Sequence, residues 1–242
     1  MNNRLVLLPG WGLGPAALEP LVTALRGLDE ALQVSVEPLP ELDSDAPQAW
    51  LEALDARIDT DVWLGGWSLG GMLASELAAR RAARCRGLIT LGSNPCFVAC
   101  ADWPQAMPDD TFAGFLALCQ SDPRATLKRF SLLCAQGARD PRGVSRALTA
   151  GTPPGTAPML RHGLQVLARL DTRAALQRYA GPQLHLLASA DALVPAQATR
   201  ALQALLPGAD VDLIEQASHA FVLDDPHGVA VAIQAFLSRA QQ

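Results

Sequence analysis

Ser68 stands at the centre of Gly66-Trp67-Ser68-Leu69-Gly70, a Gly-x-Ser-x-Gly pentapeptide, and a serine so placed points to nucleophilic chemistry. A hydroxyl is a weak nucleophile at neutral pH, so it needs a base, and the base needs an acid to orient it. The motif also demands a particular backbone. Residues 61–65 read as a short buried strand and residues 72–80 as a helix, which puts Ser68 on a sharp strand-to-helix turn. Side-chain-free neighbours at plus and minus two let the chain pass close to itself there. The Leu69 amide then lies at a helix N-terminus, where negative charge is favoured.

Four histidines compete for the role of base. His185 lies inside a strand pattern and His162 on a helical face too early in the chain, while His227 suits a helix start. His219 follows the strand Asp210–Ile214 on a loop, the address that a base on a parallel sheet requires. For the acid, Asp191 directly follows the strand Gln183–Ala188 and is preferred to Asp210, Asp212, Glu215 and Asp171. Its competing reading is an aspartate opening a helix before Pro195. Gly10-Trp11-Gly12 follows the strand Arg4–Leu8, so the Trp11 and Leu69 amides are the expected pair of oxyanion donors. No zinc-ligand spacing, phosphate loop or dinucleotide fingerprint occurs, and no metal or organic cofactor is expected.

The elements that must position these groups alternate. Strands are expected at Arg4–Leu8, 33–38, 61–65, 87–91, Gln183–Ala188 and Asp210–Ile214, with helices at 16–27, 47–58, 72–80, 195–206 and 227–239. That order predicts an α/β fold: a mostly parallel sheet with helices on both faces. Residues 96–179 break the rhythm with helical patterns only, at 112–119, 123–136, Pro141–Ala150 and 158–170, punctuated by prolines and a 151–158 loop. This length exceeds one crossover, so a helical cap over the C-terminal strand edge is expected. The division is a core of residues 1–98 and 180–242 and a cap of residues 99–179.

A chain of 242 residues, half of them apolar, can bury one large core. Its net charge of −5 gives no reason to expect nucleic acid, and no run approaches the ~20 apolar residues of a membrane span. Five scattered cysteines and the lack of a charged-then-apolar leader predict a soluble cytoplasmic protein. A monomer is expected.

Over nearly its whole length the chain resembles the α/β-hydrolase superfamily. More narrowly, it resembles the pimeloyl-[acyl-carrier protein] methyl ester esterases of biotin synthesis. The residues that carry this likeness are Leu7-Leu8-Pro9-Gly10-Trp11-Gly12-Leu13, Trp63 through Gly71, Ser93-Asn94-Pro95-Cys96-Phe97, Trp103-Pro104 and Lys128 through Leu133. The resemblance implies Ser68 as nucleophile, Asp191 as acid and His219 as base, with Trp11 and Leu69 at the ester. It also implies that Phe130, Ser131, Leu132, Leu133 and Cys134 line an acyl channel. Pro9 replaces the usual histidine of the oxyanion loop. Because the chain starts directly at the strand before that loop, the N-terminal hairpin that edges the family's sheet is expected to be missing.

Arg124, Lys128, Arg129, Arg139, Arg142 and Arg146 fall in one segment that contains a single acid, Asp140. Two readings stand side by side: a solvated face enriched by arginine-rich composition, or a basic rim that steers an acidic partner. The resemblance implies the second, with an acyl carrier protein as partner and Arg124, Arg129, Arg142 and Arg146 as its docking residues. The implied reaction is hydrolysis of the methyl ester of a carrier-bound pimeloyl chain. The three reacting groups alone also fit a generalist carboxylesterase or thioesterase, and a C–C bond hydrolase or lyase. A non-catalytic binding protein of the same fold would more often have lost one of them.

Overall fold

The computed structural model describes residues 3–150, 152 and 157–241; most of the expected 151–158 loop lies outside them. Six strands form one sheet in the order β2-β1-β3-β4-β5-β6, and every ladder is parallel. They are β1 (Arg4–Leu8), β2 (Gln33–Val36), β3 (Val62–Trp67), β4 (Cys85–Leu91), β5 (Gln183–Ala188) and β6 (Asp210–Ile214). β1, β5 and β6 match the expected bounds.

β3 runs two residues further than the expected 61–65, because the strand takes in Gly66 and Trp67 before the turn at Ser68. Residue 65 packs so tightly between Leu7 and Ile89 that a Cβ would stand 2.8 Å from one side chain and 3.1 Å from the other's carbonyl. β4 starts earlier, at Cys85, where Gly87 leaves room for the Trp63 ring beneath it.

The direction of travel along the sheet decides where the helices go. From β1 the chain moves outward to β2, then returns past β1 and advances steadily from β3 to β6. Right-handed crossovers in opposite directions place their helices on opposite faces. Accordingly α1 (Glu19–Leu28) packs with the last helix, α11 (Pro226–Ala240), on one face. The other face carries α2 (Pro47–Asp55), α3 (Leu69–Arg81), α8 (Arg173–Arg178) and α9 (Gln197–Leu205). The reversal between β1 and β3 opens a crevice at their C-terminal ends, where open α/β sheets bind ligands.

Between β4 and β5 the chain forms α4 (Asp109–Ser121), α5 (Pro123–Ala135), α6 (Pro141–Ala150) and α7 (Ala157–Arg169), followed by α8. The expected absence of strand in this segment holds among the described residues, apart from isolated bridges such as Cys96 with Asp171. The six-residue α8 was not anticipated; it is too short to show a helical period. Two longer helices, α5 and α11, start on clear signals: Asp122 accepts the Ala125 amide ahead of Pro123, and Asp225 accepts that of Gly228 ahead of Pro226. No helix among the described residues is long and apolar enough to cross a membrane.

Arg81 fastens α3 to the connection between α2 and β3. Its buried guanidinium donates to the Asp55 carboxylate (2.7 Å) and to the carbonyls of Asp55, Ile58 and Asp59. A methionine fills the volume but leaves those acceptors without a donor. Arg81→Met is expected to lower unfolding free energy by about 3 kcal/mol, read by urea denaturation, because buried acceptors of charged hydrogen bonds lose their partner.

Candidate active site

Ser68 occupies the turn from β3 into α3 with φ 55° and ψ −120°, a strained conformation for a residue with a side chain. Close packing enforces it. A Cβ at Gly66 would overlap the backbone of Gly70, and one at Gly70 would overlap the carbonyls of Leu8 and Pro9. The Ser68 amide donates to the Leu91 carbonyl at 2.8 Å, and the Ser93 hydroxyl donates to the Ser68 carbonyl at 2.7 Å. The tip of β4 thus holds the turn from both sides.

The same tip meets the histidine. Gly92, between those two residues, has φ 56°, and a Cβ there would stand 3.3 Å from His219 Cε1. The Trp67 indole donates to the His219 carbonyl at 3.0 Å. Sequence reading did not assign Gly92, Ser93 or Trp67 a role, although Trp67 and Ser93 lie in quoted motifs. Their contacts depend on strands that are remote in sequence.

His219 and Asp191 are bonded directly, Nδ1 to Oδ2 at 2.6 Å, with both side chains wholly shielded from solvent. The other carboxylate oxygen of Asp191 accepts the amides of Leu193 (2.7 Å) and Val194 (2.9 Å). Asp191 therefore closes a turn before Pro195 while it holds the imidazole; it does not open a helix, since α9 starts later, at Gln197 after Ala196. A carboxylate so engaged is an acceptor, so the imidazole proton resides on Nδ1 and the lone pair on Nε2. That Nε2 is buried and makes no hydrogen bond within the described residues. It is available to take a proton.

Gly10 packs against Ser68, its Cβ position 3.6 Å from that of the serine, which brings the Trp11 backbone to the crevice. Neither the Trp11 nor the Leu69 amide is engaged by another described group. The Trp11 indole donates to the Leu160 carbonyl of α7 at 2.8 Å, and its ring stands edge-on to Phe130 at 5.1 Å.

An apolar cavity lies beside this crevice, lined by Phe97, Met107, Phe112, Phe115, Phe130, Leu164, Leu167 and Leu193. One lining residue, Leu193, is the residue whose amide meets Asp191. Of the five residues expected along an acyl channel, Phe130 lines this cavity, and Ser131 and Cys134 are buried. Leu133 is partly buried. Leu132 is a correction: it is 55% exposed, because two residues beyond Phe130 the helix has turned its side chain to solvent. Burial raises the Cys134 thiol well above its ordinary value, and the Asp191 carboxylate adds to the effect. It stays protonated and is no rival nucleophile. Arg124, Arg129, Arg142 and Arg146 are all exposed on α5 and α6. The Arg129 guanidinium lies over the Phe115 ring at 5.3 Å.

A sequence model described as the alpha/beta hydrolase family matches residues 5–232. The chain belongs to the alpha/beta hydrolase family. This hydrolase is 36% identical over 249 residues to the pimeloyl-[acyl-carrier protein] methyl ester esterase of Aromatoleum aromaticum, covering 95% of this chain and 96% of that one. It is 34% identical to the protein of the same name from Klebsiella pneumoniae, across 98% of this chain and 94% of that one. It is also 36% identical over 235 residues to the biotin biosynthesis bifunctional protein BioHC of Cellvibrio japonicus. That match takes in 96% of this chain and 47% of its relative, so the chain spans about half the length of the bifunctional relatives it matches. Among solved structures, a bromoperoxidase from Bacillus anthracis superposes with a TM-score of 0.84 at 18% identity, across 98% of this chain and 92% of that one. An esterase from Exiguobacterium antarcticum gives 0.84 at 16% with the same coverage. These two likenesses show the fold.

The hydrolase's other candidates are occupied elsewhere. Asp210 pairs with Arg239 and Asp171 with Arg173. His162 lies 3.5 Å from Asp43, and His227 is exposed at the start of α11. His185 is buried between Thr90 (2.7 Å) and Gln183 (3.2 Å), and burial lowers it from 6.5 to about 4. Between those two pH values the unfolded chain binds a proton there that the native one refuses. The stabilisation is complete above pH 6.5 and is lost as pH falls toward 4. His185→Gln is therefore expected to flatten the fall in unfolding free energy across that window, measured by denaturation at stepped pH.

Proposed function

We propose that this hydrolase is a serine carboxylesterase that cleaves the methyl ester of pimeloyl-[acyl-carrier protein] methyl ester, releasing pimeloyl-[acyl-carrier protein] and methanol in biotin synthesis. The observation that carries the reading is the shielded Asp191–His219 pair beside Ser68, in a chain matched almost end to end by esterases of that name. Ser68 attacks the ester carbonyl while His219 Nε2 takes its proton. The Leu69 and Trp11 amides hold the oxyanion, each worth ~10²–10³ in turnover. His219 returns the proton to the departing methoxide, giving methanol and an acyl-Ser68. Water, deprotonated by the same imidazole, then releases the carboxylic acid and restores the serine.

In the same reading residues 99–179 form the cap over a core of residues 1–98 and 180–242. Phe130 and the neighbouring apolar side chains of α4 and α7 contact the methylene chain. The exposed arginines of α5 and α6 receive the acidic carrier, since Arg142 and Arg146 are one helical turn apart on the same face. A cytoplasmic setting fits the free cysteines at 85, 96, 100, 119 and 134.

Two outcomes check this. A fluorophosphonate probe is expected to label the wild type and not Ser68→Ala, and only the wild type should restore biotin-free growth to a bacterium lacking its pimeloyl-ester esterase. Labelling without rescue would leave a generalist esterase. Charge reversal at Arg142 and Arg146 is expected to cut kcat/KM on the carrier-bound ester by roughly ten-fold or more, through lost steering. Turnover of p-nitrophenyl butyrate should be unchanged; equal loss on both substrates removes the docking role.

A further inference from the structure

We infer that the Trp67 indole N–H is a positioning group for the base, tying the residue before the nucleophile to the backbone of His219. The inference rests on the reading of Ser68, Asp191 and His219 as the reacting groups. Trp67 ends β3, is fully buried, and donates from Nε1 to the His219 carbonyl at 3.0 Å. Its ring lies 5.7 Å from the imidazole, tilted by 37°.

The need for such a tie follows from how His219 is held. It sits on the connection between β6 and the short α10 (Phe221–Asp224), at the edge of the sheet farthest from β2. The side chain is fixed at Nδ1 by Asp191, which rides on a different loop. The bond between acid and base is kept when their two loops shift together. Nothing in the Asp191–His219 pair sets the distance from Nε2 to the serine. The Trp67 bond does: it refers the His219 backbone to β3, whose next residue is Ser68. One bicyclic side chain, rigid beyond its two torsions, thereby sets the spacing between base and nucleophile. Trp67 is buried behind the imidazole and is not among the residues lining the apolar cavity, so its effect passes through His219.

The test replaces Trp67 with 3-benzothienylalanine, which keeps the bicyclic shape and puts sulfur where the N–H stands, alongside Trp67→Phe. With p-nitrophenyl butyrate the expected result is a fall in kcat of about 10- to 100-fold with KM changed less than about two-fold, the scale of a sub-ångström to 1 Å misplacement. The rate of fluorophosphonate labelling at Ser68 should fall in parallel. The downfield proton resonance of the His219–Asp191 hydrogen bond should persist, because that pair moves as a unit. Wild-type kcat in the folded sulfur isostere overturns the inference, as does a rise in KM with kcat intact. If the wild type itself fails to label at Ser68, the parent reading falls instead, and the two failures are told apart in one experiment.

Discussion

The structure depends on one close approach: the backbone of Gly70 against the carbonyls of Leu8 and Pro9, where no side-chain atom fits. That contact lets β3 turn into α3 with almost no intervening chain, and it forces Ser68 into a positive φ. It also brings the loop after β1 against the serine, because Gly10 belongs to the same knot of backbone. The crevice at the sheet's reversal and the two free amides beside it are consequences of this packing. A strained serine costs stability, which the surrounding strands offset by fixing it through Leu91 and Ser93.

Around that knot, the buried Asp191 carboxylate is answered on both oxygens. Asp191 accepts two backbone amides and the imidazole, so its charge is distributed over three donors inside a shielded site. His185, equally buried, is kept neutral by its burial and is bonded to a hydroxyl and an amide. The same residue type takes opposite roles because only one of the two faces a carboxylate. The unpartnered Nε2 of His219 belongs to an imidazole whose other nitrogen is bonded to Asp191.

The helical segment between β4 and β5 is joined to the site at several points rather than resting on it. The Cys134 carbonyl at the end of α5 accepts the Ala220 amide, next to His219. Gly137 is packed on Ala190, next to Asp191, and the Trp11 indole reaches the Leu160 carbonyl of α7. The apolar cavity is therefore walled by the same helices whose ends abut the acid, the base and the oxyanion loop.

Local pattern and chain order determined much of this. The six strands follow from short apolar runs, the turn at Ser68 from glycines on both sides, and His219 and Asp191 from their places just after β6 and β5. These are properties of neighbouring residues, which a linear reading captures. What lay beyond it was set by contacts between remote segments. Leu132 turns outward because of its phase on α5, fixed by what Phe130 and Cys134 pack against. β3 extends through Gly66 and Trp67 because both pair with β4 across the sheet. The Trp67 bond to His219 joins residues 152 apart in sequence, and only the folded sheet makes them neighbours.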